Sequence, residues 1–142
     1  MKKRYLASFV IGMLLTPVTH ASDHKVGQQL YKENCASCHG TAGGMNMNKR
    51  VAPPIIAVRM HYIGTYADKD SFVMAIADWI EKPDADNSMM RGALRRFGLM
   101  PAVKVTRKEA EKIAAYIYEG DIEMPEGFQQ HFEERHGKNK NR

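Results

Sequence analysis

The sequence predicts an all-α protein, and three observations carry that prediction. Apolar residues recur at helical spacing in two stretches: Phe72, Val73, Ile76, Trp79 and Ile80, then Ala110, Ile113, Ala114 and Ile117. Glycine and proline punctuate the chain between such stretches, at Gly40, Pro53, Pro54, Pro83, Gly98, Gly120 and Pro125. No apolar–polar alternation of period two marks a strand, and there is no internal repeat.

The elements follow in chain order. Lys2, Lys3 and Arg4 precede an apolar run from Tyr5 to Leu15, a break at Thr16-Pro17, and the small-residue stretch ending at Ala21. That pattern is a secretory signal over residues 1–21, cleaved after Ala21. The apolar run is shorter than the ~20 residues that a membrane span requires, and nothing later resembles a span, so the expectation is a protein exported to the periplasm. Asp23 can cap a first helix that runs through Val26, Leu30 and Tyr31 towards Cys35. Gly40 to Gly44 opens a loop that continues to Pro53-Pro54, and residues 55–64 are either irregular or a short helical turn. Asp68 or Asp70 starts a helix over 70–82 that Pro83 stops. A shorter helix spans 88–96 and ends at Gly98. Thr106 with Glu109 is a capping box that opens the last firm helix, with Gly120 at its C-cap. Phe128 and Phe132 sit i,i+4 on a short segment, and the extreme end of the 121–142 extension is expected to be disordered.

The formal charge of +5 suggests an anionic partner, but Lys2, Lys3 and Arg4 leave with the signal and the mature balance falls to +2. Strongly basic nucleic-acid binding is thereby excluded. What remains is local: Lys49 and Arg50, and the group Arg91, Arg95 and Arg96, available for transient docking.

Two cysteines, Cys35 and Cys38, lie three positions apart. A disulfide between them would close a loop too small to constrain the unfolded chain, so their role is chemical. With His39 they form Cys-Ala-Ser-Cys-His, the C-x-x-C-H attachment signature of c-type haem. Each thiol can add across one porphyrin vinyl group, and the histidine that follows falls beneath the iron as proximal ligand. A dithiol redox pair would need a βαβ context, and a zinc site would need nearby ligands, whereas the next histidine is the remote His61.

Met100 stands out for the second axial position, because it lies in a Gly-Leu-Met-Pro loop just before the last helix. Its rivals are Met89 and Met90, with His61 as a bis-histidine alternative; Met45 and Met47 together form a weak soft-metal pair. His plus Met closes both axial positions, which points to an electron carrier and not an enzyme.

On these residues the chain resembles the class I cytochrome c family over residues 24–120. The carriers of the resemblance are Gly27 and Leu30-Tyr31 in the first helix, Cys35 to Gly40, Phe97 to Pro101, and Thr106 to Gly120 with Tyr116 and Tyr118. It implies N- and C-terminal helices that cross, with intervening helices and loops around one covalent haem, in a domain spanning 22–120. It also implies His39 and Met100 as axial ligands, and a proline carbonyl, from Pro53 or Pro54, that accepts from His39. Trp79 and Arg91 become candidates for the haem propionates. The function implied is a monomeric carrier of single electrons between redox proteins. The alternatives are a haem-bearing subunit of a larger redox enzyme, docked through Phe128, Phe132 and the C-terminal tail, and a haem-based gas sensor.

Overall fold

A computed structural model describes residues 19–40, 50–125 and 127–136. Among these the regular structure is entirely helical, as the apolar periodicity requires. The helices are α1 Thr19–Asn34, α2 Ala36–His39, α3 Ile55–Ile63, α4 Lys69–Glu81, α5 Arg91–Phe97, α6 Arg107–Glu119 and α7 Phe128–His136. Residues 1–18 of the expected signal segment, Met45, Met47, Lys49 and the tail from residue 137 lie outside the described residues. Among the described residues no helix is long and apolar enough to cross a membrane.

α6 is the centre of the molecule because its stripe of Ala110, Ile113, Ala114 and Ile117 is nearly all inaccessible. It packs against α1 on one side and α4 on the other. α1 crosses it at Gly27, where an added Cβ would meet the Lys112 carbonyl oxygen at 2.3 Å. The inward face of α1 is Gly27 and Tyr31, with the half-buried Leu30 packed at its margin; Tyr31 is fully buried against Tyr116 with ring centroids 5.5 Å apart. Val26, expected on the apolar stripe, is 42% exposed. Asp23 does not cap this helix either. α1 begins at Thr19, so Asp23 lies within it and pairs with Lys112 at 3.2 Å.

α4 starts where Asp68 accepts from the Ser71 N–H at 2.9 Å, and it buries Phe72, Ile76, Ala77 and Ile80. The expected capping box on α6 is complete, with Thr106 and Glu109 satisfying each other's N–H groups. Gly120 does end α6, but in an extended conformation (φ −66°) and not the left-handed one usual for a glycine cap. Its small size serves space instead: a Cβ there would lie 2.4 Å from the Tyr116 carbonyl oxygen.

Residues 55–63 form a full helix, α3, whose first turn is set by the extended Pro54 before it. α3 sends Ile55 and Tyr62 into the main core and Ile56 and Ala57 into a second cluster. Phe128 of α7, 5% exposed, completes that second cluster, with Met60, Met90 and Phe132 at its margin. Phe128 therefore belongs to the chain's own interior and offers no surface to a docking partner.

Candidate functional site

Beside this core lies a cleft walled by the end of α1, α2, α3, α4, α5 and the α5–α6 connection. Cys35, Cys38, His39 and Met100 all line it. The remaining wall is chiefly apolar, from Ile55, Val58, Ile76, Ile80 and Leu94, and among the described residues no Asp, Glu, Lys or Arg contributes to it.

The cysteine segment is shaped by short-range bonds. The N–H of Cys35 donates to Tyr31 at 2.9 Å, that of His39 to Cys35 at 2.9 Å, and that of Gly40 to Ala36 at 2.8 Å. Gly40 then turns the chain at φ 74°, a left-handed conformation that favours glycine. The Tyr31 hydroxyl donates to the Gly40 carbonyl and so ties the end of the segment to α1. Burial holds that hydroxyl well above its ordinary range, which keeps it protonated and able to donate. Cys35 is half-buried and Cys38 exposed, with no disulfide between them. Burial, followed by the neighbouring Cys38, pushes the Cys35 thiol up to about 11.

His39 is anchored by the segment that precedes α3. Its Nδ1 lies 2.8 Å from the Pro53 carbonyl oxygen, which can only accept, so Nδ1 carries the proton. Burial lowers the imidazole below its ordinary value, favouring the neutral ring. The neutral Nδ1–H tautomer leaves the Nε2 lone pair as donor to a metal. Of the two prolines considered, Pro54 is engaged elsewhere: its carbonyl accepts from the Ala57 and Val58 N–H groups at 2.9 and 3.3 Å.

Met100 is half-buried in a loop that leaves α5 through Gly98 at φ 80°. The loop returns to the core where the Val103 N–H donates to Ile80 at 3.0 Å. Among the rivals, Met90 also lines the cleft, whereas Met89 packs against the main core. His61 lies outside the cleft lining, edge-on to Phe132 with centroids 5.6 Å apart. Trp79 lines the cleft. Arg91 does not: its guanidinium donates to the carbonyls of Asp86 at 2.7 Å and Ala85 at 3.4 Å, which clips the turn before α5.

Sequence reasoning missed three contributors. The Tyr31 hydroxyl could have been found from its place four residues before Cys35, one helical turn away. Ser88, 8% exposed and lining the cleft, and Arg50, which donates to the His39 carbonyl at 3.5 Å, carry no local signal.

Two thiols, an imidazole and a thioether facing one uncharged apolar cleft suit an iron porphyrin: soft and nitrogen donors for the iron, apolar walls for the ring. No curated protein and no solved structure gives a match to this chain. The family model described as Cytochrome c matches residues 25–120, the span that holds the crossing helices and all four of these side chains. The chain belongs to the cytochrome c family, proteins that bind haem c through their paired cysteines and transfer electrons.

Proposed function

We propose that this protein is an exported, periplasmic monohaem cytochrome that carries single electrons between redox proteins, with His39 and Met100 as the axial iron ligands. The observation that carries this reading is that His39 and Met100 line one cleft together with both cysteines. Cys35 and Cys38 would hold the ring covalently. Pro53, by accepting from Nδ1, fixes the His39 ring and its tautomer. The Trp79 indole N–H is the candidate donor to a propionate. Haem iron held by His39 and Met100 would supply a one-electron couple. The chain's own task is then to exclude water and keep both ligands in place in either oxidation state, which argues for a carrier and against bond-making catalysis.

The test is the absorption spectrum of the purified protein. A low-spin spectrum with the weak long-wavelength iron–sulfur band is expected, and Met100→Ala abolishes that band while Met90→Ala retains it. A high-spin wild-type spectrum, or loss of the band in Met90→Ala alone, would overturn the assignment. N-terminal sequencing of the protein recovered from the periplasm should begin at Ser22.

A further inference from the structure

The segment after residue 120 lies beyond the stretch that matches the family, yet α7 folds back onto the outer side of the cleft wall. A cavity between α3, α5 and α7 is lined by Pro53, Pro54 and Ala57, by Met90 and Phe97, and from α7 by Phe128 and Phe132. Pro53, Met90 and Phe97 also line the cleft that holds His39 and Met100. α7 therefore backs the residues that separate the two spaces.

Phe128 is the fixed point of this arrangement, buried with Ile56 and Ala57 in the first turn of α3. That turn is bonded directly to the proline pair, because the Ala57 N–H donates to the Pro54 carbonyl at 2.9 Å. One residue earlier, the Pro53 carbonyl accepts from His39 Nδ1 at 2.8 Å. The chain of contacts from Phe128 to the imidazole thus passes through one side-chain contact, one backbone hydrogen bond and one rigid Pro-Pro step. Prolines restrict their own φ and the backbone of the residue before them, so a displacement of the first turn of α3 is passed on to the Pro53 carbonyl with little relaxation.

We infer that Phe128 is a positioning residue for the metal centre: through the first turn of α3 and Pro54 it holds the Pro53 carbonyl in place against His39. The inference rests on His39 being the proximal iron ligand. A firm hydrogen bond from Nδ1–H raises the basicity of a ligating imidazole, which favours ferric iron. Loosening that bond shifts the couple towards ferrous.

The experiment compares haem-loaded wild type with Phe128→Ala, Phe128→Leu and Tyr118→Phe. The last removes a hydrogen bond of 2.8 Å to the Ala67 carbonyl, away from this wall. Two quantities are read: the ferrous-to-ferric ratio at a fixed ambient potential, and the exchange rate of the His39 Nδ1 proton in the reduced protein. Phe128→Ala should raise the ratio roughly three- to tenfold, where tenfold corresponds to about 59 mV for one electron, and should speed Nδ1–H exchange. Phe128→Leu, which keeps most of the apolar bulk, should give a smaller change of the same sign, and it carries the test if the alanine variant does not accumulate. Tyr118→Phe should leave both quantities unchanged. Unaltered ratio and exchange in the Phe128 variants, even with a lower melting temperature, would overturn the inference and reduce α7 to a stabilising element. A wild-type spectrum without low-spin character would instead overturn the ligand assignment beneath it, so the two failures are distinct.

Discussion

Replacing Gly27 with alanine sets two opposing terms against each other at the crossing of α1 and α6. A methyl group at that position meets the Lys112 carbonyl oxygen at 2.3 Å, the Lys112 carbonyl carbon at 3.0 Å and the Tyr116 Cβ at 3.1 Å. Ordinary contact begins at 3.4 Å, so the helices must part by about 1 Å. The nearest obstacle is backbone, which cannot rotate aside. Alanine by itself favours a helix over glycine by ~1 kcal/mol. Against this, overpacking a core costs typically ~1–3 kcal/mol. The upper end applies here, because the separation also loosens the fully buried Tyr31 and Ile113. The net loss is then ~1–2 kcal/mol, or roughly 5–15 °C in melting temperature for a domain near 100 residues. Thermal unfolding of the haem-loaded protein, followed by far-ultraviolet circular dichroism, measures it. Gly92→Ala in α5 is the internal control: nothing lies within 4 Å of its added Cβ, so only the propensity gain acts and the melting temperature should rise by a few degrees. A Gly27→Ala protein that melts at or above wild type would refute the close crossing.

Three further outcomes follow from the same geometry. Tyr31→Phe deprives the Gly40 carbonyl of its donor and should cost ~1–2 kcal/mol in thermal or denaturant unfolding; because the folded protein holds this hydroxyl above its ordinary value of 10.0, the wild-type advantage is complete below pH 10 and declines as pH rises further, and an advantage that instead grows with pH contradicts the burial. Gly120→Ala should destabilise by ~1–3 kcal/mol although its backbone suits any residue, since the added Cβ lies 2.4 Å from the Tyr116 carbonyl oxygen and 2.6 Å from the Tyr116 ring. Asp68 and Glu109 are held below their ordinary values by hydrogen bonds, first from the Ser71 and Thr106 backbone N–H respectively. Their contribution is therefore present above the unfolded carboxylate values and lost as pH falls through the lowered ones, so melting curves of Asp68→Asn and Glu109→Gln should converge with wild type in acid, and a constant gap from neutral to strongly acidic pH would contradict the capping role.

The helices that were legible in the sequence are those with one dry face and a side-chain cap. α4 and α6 each bury a single stripe, and Asp68 and Thr106 mark their starts with side-chain oxygens aimed at backbone N–H groups. α3 has neither sign. Its residues divide between two clusters, so no polar face gives it a period, and a proline precedes it where a capping oxygen would stand. α1 misleads in a different way: its most deeply buried positions are a glycine and a tyrosine, Leu30 packs only at the margin, and the aliphatic Val26 is exposed. A close helix crossing selects the smallest residue at the point of contact, and hydrophobicity patterns cannot see a glycine as core. Gly120 shows the same principle, being required for the space it does not fill.

The site divides along the same line between local and distant causes. Cys35, Cys38 and His39 lie within one turn, so their spacing alone expresses the attachment chemistry. The partner of His39 lies fourteen residues away, and the choice between Pro53 and Pro54 is decided by what else each carbonyl must do. A helix needs acceptors for the N–H groups of its first turn, and the Pro54 carbonyl is committed to those of Ala57 and Val58. Only the carbonyl one residue earlier is left for the imidazole. Arg91 obeys the same accounting: in the turn before α5 the Ala85 carbonyl has only a long bond from the Ser88 N–H at 3.4 Å, and the Arg91 guanidinium donates to it and, more closely, to the Asp86 carbonyl. A charge counted on the sequence as available to a ligand is thus spent on backbone. Which polar groups remain for function is decided by the hydrogen-bond demands of helix ends, and those become visible only once the ends are placed.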